Sequence, residues 1–439
     1  MNKLSYSFLI ILLIFSGRVN ASEPQVRGSY SLINSYREKA LEYNHDLKIA
    51  EKNIAASDEV LRMAKNEYLP KLSGSASYKY VGNPTQLDLQ LPTMDAPLSV
   101  GGNNHNQYGA FLNLMQPVYQ GGAIKASVQK SMSEKEYSIY QKESLQLNVL
   151  YVSDYKYWST VANEEVVRVS EQLKASIEQL VLIVKQRVDA GAVSKNDLLM
   201  VEVKLNEATY QLMQLQTQLA VNKMSLNSFI GSPLNDSLTT DSSIPVLSET
   251  ELQGVRPKDD RPEIRMAETG IDIQKATGKL RDSKYLPQIN VGAEGSYSSP
   301  GYNFDKDLDP NYAFYAKISM PLYQWGKRSK EKRISNYQIE IAQENKRKIE
   351  EQIQLETQSA ILSLQQAQKQ VDLTGNSLEK AFQNEKMLME RYAEGEISVL
   401  EVLDGQVYRQ TAQMNYVQAK LNAQMKYSEV LKTVNAYPF

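Results

Sequence analysis

Cysteine is absent from all 439 residues. Its absence excludes a disulfide framework, thiolate chemistry and lipid attachment at an N-terminal cysteine. Histidine is almost as scarce, with His45 and His105 the two imidazoles of the chain. A histidine-rich metal site or a Ser-His-Asp triad would have to be built on one of them, and neither sits in a motif with the required spacing. Both read as ordinary polar positions, one near a helix start and one in the loop after Gly101-Gly-Asn-Asn104. No sign of charge dominates either: 49 basic residues face 51 acidic ones, for a net charge of -2. That balance excludes the basic face of a nucleic-acid binder. Without a nucleophile, base or metal cluster the sequence reads as a non-enzyme with no cofactor and no metal.

Long apolar runs are also missing. Lys3, the apolar stretch Phe8 to Phe15 and the small-residue site Val19-Asn-Ala21 have the layout of a signal peptide over residues 1–21, so the mature chain is expected to begin at Ser22. Beyond it no stretch approaches the ~18 apolar residues of a spanning helix, and mean hydropathy is -0.46. Any passage through a membrane must therefore use strands.

What is present is a duplication. Tyr68-Leu69-Pro70 recurs 217 positions later as Tyr285-Leu286-Pro287. Gln116-Pro117-Val118-Tyr119-Gln120-Gly121-Gly122 recurs as Met320-Pro321-Leu322-Tyr323-Gln324-Trp325-Gly326, and Val188-Asp-Ala-Gly191 as Tyr392-Ala-Glu-Gly395, both at an offset of 204. The second copy is thus 13 residues shorter between the first two words, which places a length-tolerant loop there. The loop corresponds to Gly82–Asn106 in the first copy and Ser298–Pro310 in the second. The resulting organisation is a first repeat over 22–231, a proline-containing connector over 232–262 and a second repeat over 263–439. Each repeat reads helix, strand, loop, strand, long helix, turn, helix.

Strands are expected at about 70–82, 106–118, 287–298 and 311–322. Ile289, Val291, Ala293 and Tyr297 share one face, with Asn290, Glu294 and Ser296 on the other; Tyr312, Phe314, Ala316, Ile318 and Met320 likewise oppose Lys317 and Ser319. In the first copy Tyr108, Ala110, Leu112 and Leu114 oppose Gly109, Asn113 and Met115, and Phe111 breaks the polar face. Period-two alternation with aromatics near the ends is the pattern of a barrel wall between lipid and water. Four strands are too few to close a barrel, and open edges in lipid leave amides unsatisfied, so several copies must pool their strands.

Between Gly122 and Gly191 there is no proline or internal glycine, and Gly326 to Gly395 is interrupted only by Gly375. At ~1.5 Å per residue each run would reach about 100 Å as a helix. Apolar residues follow helical spacing, as in Leu147, Leu150, Tyr151, Tyr155 and Trp158, then Ile349, Ile353, Ala360, Ile361 and Leu364, which describes packed rods with one solvated side. Gly191 and Gly395 suit helix C-caps, and Ser194 and Ser398 suit N-caps of returning helices. Each repeat therefore ends in a helical hairpin whose turn lies far from the strands.

From Ser31 to Tyr437, through its duplicated Tyr-Leu-Pro words, its Pro-Val/Leu-Tyr-Gln words with the junction residues Pro117, Gly121, Gly122, Pro321 and Gly326, and its Gly-X5-Asp/Glu turns, the chain resembles the TolC family of outer-membrane efflux proteins. The resemblance implies a mixed α/β membrane protein: a homotrimer whose twelve-stranded outer-membrane β-barrel continues into a long α-helical coiled-coil barrel in the periplasm. It implies passive conduction, with a periplasmic adaptor (membrane fusion) protein and an inner-membrane RND, MFS or ABC transporter as partners. It further implies a periplasmic constriction, to which Glu401, Asp404, Asp197 and Tyr392 correspond. Glu401 and Asp404 are three apart on one helical face. At Ile397 the chain departs from members that carry an arginine lock, for which Lys195 or Lys386 are the substitutes on offer. Type I protein secretion through the same duct and, in a different class, a periplasmic coiled-coil scaffold are the alternative readings.

Overall fold

The computed structural model describes residues 31–84, 86–92, 96–101, 104–247, 261–301 and 307–437. The signal peptide expected at 1–21 and the connector residues 248–260 lie outside them.

The first repeat comprises α1 (Ser31–Tyr43), α2 (His45–Asn66), β1 (Lys71–Tyr80), β2 (Gln86–Leu89), β3 (Leu98–Gly101), β4 (Asn106–Gln120), α3 (Ala123–Asp189) and α4 (Lys195–Ile230); the second comprises α5 (Pro262–Asp282), β5 (Gln288–Ser299), β6 (Asp309–Ser319), α6 (Lys327–Glu394) and α7 (Val399–Thr433). Asn44 separates α1 from α2 because its side-chain oxygen accepts the Leu47 backbone N–H at 3.0 Å, capping the second helix. The Tyr-Leu-Pro words then end α2 and α5, and in the second copy a single 3-10 turn, Ser283–Tyr285, makes the transition.

All four main strands form one antiparallel sheet in the order β1-β4-β5-β6. The registers carry the sequence alternation across the whole sheet. Leu72, Leu114, Ala293 and Phe314 form one row, and Gly74, Leu112, Gly295 and Tyr312 the next. On the opposite face Ser73, Asn113, Glu294 and Ala313 are aligned, followed by Ser75, Phe111, Ser296 and Asn311. The apolar face is bare in a single chain: Phe314 is 81 % exposed and Tyr312 79 %. Burying such a surface against hydrocarbon is favourable by about 25 cal/mol per Å², whereas leaving it in water is costly.

Three boundaries differ from the expectation. The first-copy loop holds a hairpin, with β2 and β3 paired from Gln86↔Gly101 to Leu89↔Leu98; the alternation in Gln86-Leu-Asp-Leu89 and Leu98-Ser-Val-Gly101 accounts for it. β4 continues through Pro117 to Gln120 because Pro117 lies beyond Met115, the last residue paired with β1, and the ladder to β5 absorbs it with a register shift. β6 instead stops at Ser319, two residues before Pro321.

The helices reach the expected lengths, 67 residues in α3 and 68 in α6. Gly375 does not interrupt α6; a Cβ there would approach the Tyr416 ring of α7 to 3.3 Å, so glycine serves close helix contact. α3 is the spine, packed by α1, α2, α4, α5 and α7, while α6 leans mainly on α5 and α7. At mid-height the fully buried Asp154 of α3 accepts from Nε and Nη2 of Arg37 in α1 and from the Ser428 hydroxyl of α7, each at 2.7 Å. Those three bonds offset the desolvation of the pair. The connector residues 232–247 are strapped to the same level, where Tyr157 donates to Asp241 at 2.7 Å and Gln424 to the Pro245 carbonyl at 3.0 Å. Among the described residues no helix is long and apolar enough to cross a membrane.

Candidate functional site

Farthest from the sheet, the two hairpin tips are built alike. Gly191 and Gly395 adopt φ of 74° and 81°, the left-handed region in which glycine pays no Cβ penalty. In the first tip Gly191 donates to the Val188 carbonyl at 2.9 Å and Ala192 to Arg187 at 2.8 Å; in the second, Gly395 donates to Tyr392 and Glu396 to Arg391, both at 3.0 Å. These bonds satisfy the last carbonyls of α3 and α6 and reverse the chain. Ser194 then caps α4, with Asp197 accepting the Ser194 backbone N–H at 3.1 Å and its hydroxyl at 2.9 Å. Glu401 does the same for Ser398, at 3.1 Å to each donor. Both carboxylates lie where the helix dipole favours negative charge. Asp404, one turn on, stays exposed on the same side of α7 as Glu401.

Beneath the caps Leu180, Val184, Val201, Val402 and Leu403 form a small core shared by both hairpins, with Ile397 and its first-copy counterpart Val193 packed against it. Ile397 therefore contributes apolar contact where a charged link would otherwise stand. Lys195 and Lys386 are exposed and neither enters the tip core. A cation does bind the hairpins together, from another position: the Arg187 guanidinium, at the end of α3, stacks 4.5 Å from the Tyr392 ring centroid and donates to the Ala393 carbonyl at 2.8 Å. Tyr392 is 3 % exposed. Burial raises the pKa of its hydroxyl, with Arg187 opposing and Asp197 adding to the rise, so the structure brings Asp197 and Tyr392 into one electrostatic neighbourhood. Further up, Arg409 of α7 and Glu385 of α6 form a largely buried ion pair at 2.6 Å; burial raises the Glu385 pKa against the pull of Arg409.

The junction residues at the other end of the long helices also repeat a backbone shape. Gly121, Gly122 and Gly326 have φ of 61°, 83° and 71°, and Trp325, the counterpart of Gly121, has 49°. Gly121 is obligatory, since a Cβ would fall 2.5 Å from the Ser283 carbonyl oxygen. The Trp325 position is open, and its indole is 83 % exposed. His45 meets the Tyr43 ring edge-on and His105 stacks on Tyr80. Among the described residues no group of three or more metal-capable side chains exists.

A sheet with one apolar and one polar face, set on two duplicated hairpins of this length, can be compared with known proteins. The family model described as outer membrane efflux protein matches residues 36–232 and 258–435. The chain belongs to that family. Among the solved structures of this outer membrane efflux fold, the Campylobacter jejuni CmeC outer membrane channel superimposes with a TM-score of 0.72 at 18 % identity, covering 92 % of this chain and 86 % of the other. The open state of the Neisseria gonorrhoeae MtrE outer membrane channel gives 0.73 at 16 % identity, covering 92 % and 88 %. Of curated family relatives, the solvent efflux pump outer membrane protein SrpC of Pseudomonas putida is 24 % identical over 295 residues, which is 66 % of this chain and 60 % of that protein. The probable efflux pump outer membrane protein SepC of Pseudomonas putida strain F1 is 23 % identical over 402 residues, covering 87 % and 78 %.

Arg187 is the residue at this efflux-family tip that the sequence reading missed. Its signal was available in the repeat: Arg187-X3-Gly191 and Arg391-X3-Gly395 share the 204-residue offset. Nothing in the spacing says that one arginine crosses to the other hairpin while Arg391 turns outward to Glu396 at 3.1 Å.

Proposed function

We propose that three copies of this chain form a passive conduit through the outer membrane, continued as a helical tunnel into the periplasm, which carries efflux substrates delivered by an inner-membrane transporter and its adaptor. The observation that carries the reading is the amphipathic sheet with unpaired outer strands β1 and β6. Eight strands from two copies would enclose a space filled by side chains, whereas twelve leave a lumen. The helices support the same closure. On α6 an exposed seam of Ile334, Ile341, Leu355 and Leu362 recurs in steps of seven or fourteen residues, and α2 at the opposite border exposes Ile49 and Met63 at the same spacing; such seams pair as coiled coils.

At the tip, Asp404 and Glu401 supply the constriction. Because Glu401 is engaged by Ser398, Asp404 carries the freer charge, and three copies crowd like charges that attract cations. The exposed apolar groove beside them, lined by Leu199, Met200, Val203, Leu400 and Leu403, receives the adaptor. In planar bilayers the protein is expected to be cation-selective, and E401Q/D404N to lose that selectivity and its block by divalent cations; unchanged selectivity removes the gate assignment. A deletion strain is expected to become sensitive to dyes, bile salts and antibiotics. Loss of a secreted polypeptide alone would instead favour protein secretion.

A further inference from the structure

The polar face of the sheet carries an aromatic group that its alternation does not explain. Phe111 is flanked by Ser75 on β1 and Ser296 on β5 and is 39 % exposed. Glu294 is aligned with Asn113 on β4 and Ala313 on β6. Its diagonal neighbours on the same face are therefore Phe111 on one side and Tyr315 on the other, within reach of long and aromatic side chains. Tyr315 lies across Gly292, where a Cβ would come 2.5 Å from its hydroxyl, and that hydroxyl donates to Asn113 Oδ1 at 3.3 Å. Ala313 keeps the space over Glu294 open. The Glu294 carboxylate is exposed and has no ion-pair partner among the described residues. Phe111, Asn113, Glu294, Ser296 and Asn311 line a shallow depression of about 480 Å³.

A carboxylate beside an aromatic ring, in a bed of serine and asparagine, has the chemistry to hold an amphiphilic cation. We propose that this depression is a transit site for aromatic monocations, with Glu294 as counter-charge and the Phe111 face as platform. The inference rests on the reading of the sheet as the water-facing wall of a barrel, in which three such sites lie on one ring. The site is open and each of its contacts is modest, so bound cations leave readily, as conduction requires. An all-serine wall would offer an amphiphile no resting place, and a deep apolar pocket would trap it.

The test uses full-length protein in planar bilayers, in an E401Q/D404N background so that the tip carboxylates do not contribute. Tetraphenylphosphonium and tetraethylammonium are titrated from the side of the strand loops. Wild-type lumen residues are expected to give stronger block by the aromatic cation. F111S is expected to raise its half-blocking concentration about tenfold, the scale of one lost ring–ring contact between Phe111 and a phenyl group of the cation, while weakening block by tetraethylammonium, which has no ring, by less; E294Q is expected to weaken both. F111L, which keeps apolar bulk, stands in if F111S fails to insert and is expected to behave like it. Undiminished tetraphenylphosphonium block in the Phe111 variant and in E294Q overturns the proposal. A protein that does not conduct at all defeats the channel reading instead. The site is then judged by calorimetry of tetraphenylphosphonium with the detergent-solubilised protein, where binding lost in E294Q supports it and no binding to the parent protein overturns it.

Discussion

α3 and α6 are one element written twice, of nearly equal length and with the same glycine caps, yet their surroundings differ. α3 buries Leu147, Leu150, Trp158, Val161, Leu173, Ile177 and Leu180 among helices of its own chain; α6 buries mainly small residues such as Ala360, Ala367 and Ala381, and leaves Ile334, Ile341, Leu355 and Leu362 in the open. Duplication preserved backbone geometry and let the partners diverge. One copy became the spine of the chain and the other its edge, with an apolar seam left exposed.

The sharpest way to break that contrast is to charge the border. I341D/L355D is expected to abolish assembly in detergent, read by light scattering, because each interface would bury two unpaired carboxylates at several kcal/mol apiece. If the oligomer persists, α6 is not the border. The tips should behave alike where their backbones are alike. G191A and G395A are each expected to cost about 1–2 kcal/mol of local stability, since both force a Cβ into left-handed backbone without any clash, and hydrogen exchange at the two turns is the measurement. A marked inequality would mean that neighbouring contacts, not the caps, set tip stability.

The arginines test where the copies part. R187A is expected to loosen the tip by about 1 kcal/mol, the scale of a cation–ring contact with its hydrogen bond, and to raise single-channel conductance. R391A, which removes an exposed pair, should stay within ~0.5 kcal/mol. Equal effects would deny Arg187 its crossing role. The smallest expected difference lies at the junction, where Asp282 and Arg328 pair at 2.8 Å, whereas the corresponding first-copy positions are Lys65 and Ile124. The Arg328 hydrogen bond holds the Asp282 pKa below the usual carboxylate range. Its contribution is therefore present above the ordinary aspartate pKa and lost as pH falls through the lowered one. D282N should flatten the decline of the thermal midpoint over that acid window; an unchanged decline would assign it to other carboxylates.

How much could be foreseen divides along physical lines. The strand faces, the junction turns and the hairpin caps are local patterns of two to four residues, repeated with a fixed offset, and all are visible in the sequence. The β2–β3 hairpin was hidden by the polar residues around two short alternating pairs. Arg37 and Asp154 are 117 positions apart and leave no periodic trace, since a buried ion pair between distant helices has no spacing rule. Arg187 was visible as a repeated letter, but its crossing to Tyr392 depends on how the two hairpins lean together. Ile397 stood out as a missing charge, and the packing explains the apolar residue as part of the tip core.

The sheet order has one more consequence. Because β4 pairs with β5, the last strand of the first repeat is stitched to the first strand of the second within a single polypeptide. In a cylinder of three chains, half of the joins between repeats would then be made by tethered neighbours at high effective concentration, independent of how dilute the protein is. Six separate half-length pieces would need five encounters by diffusion; three tandem chains need two, and the last join closes within the assembled ring.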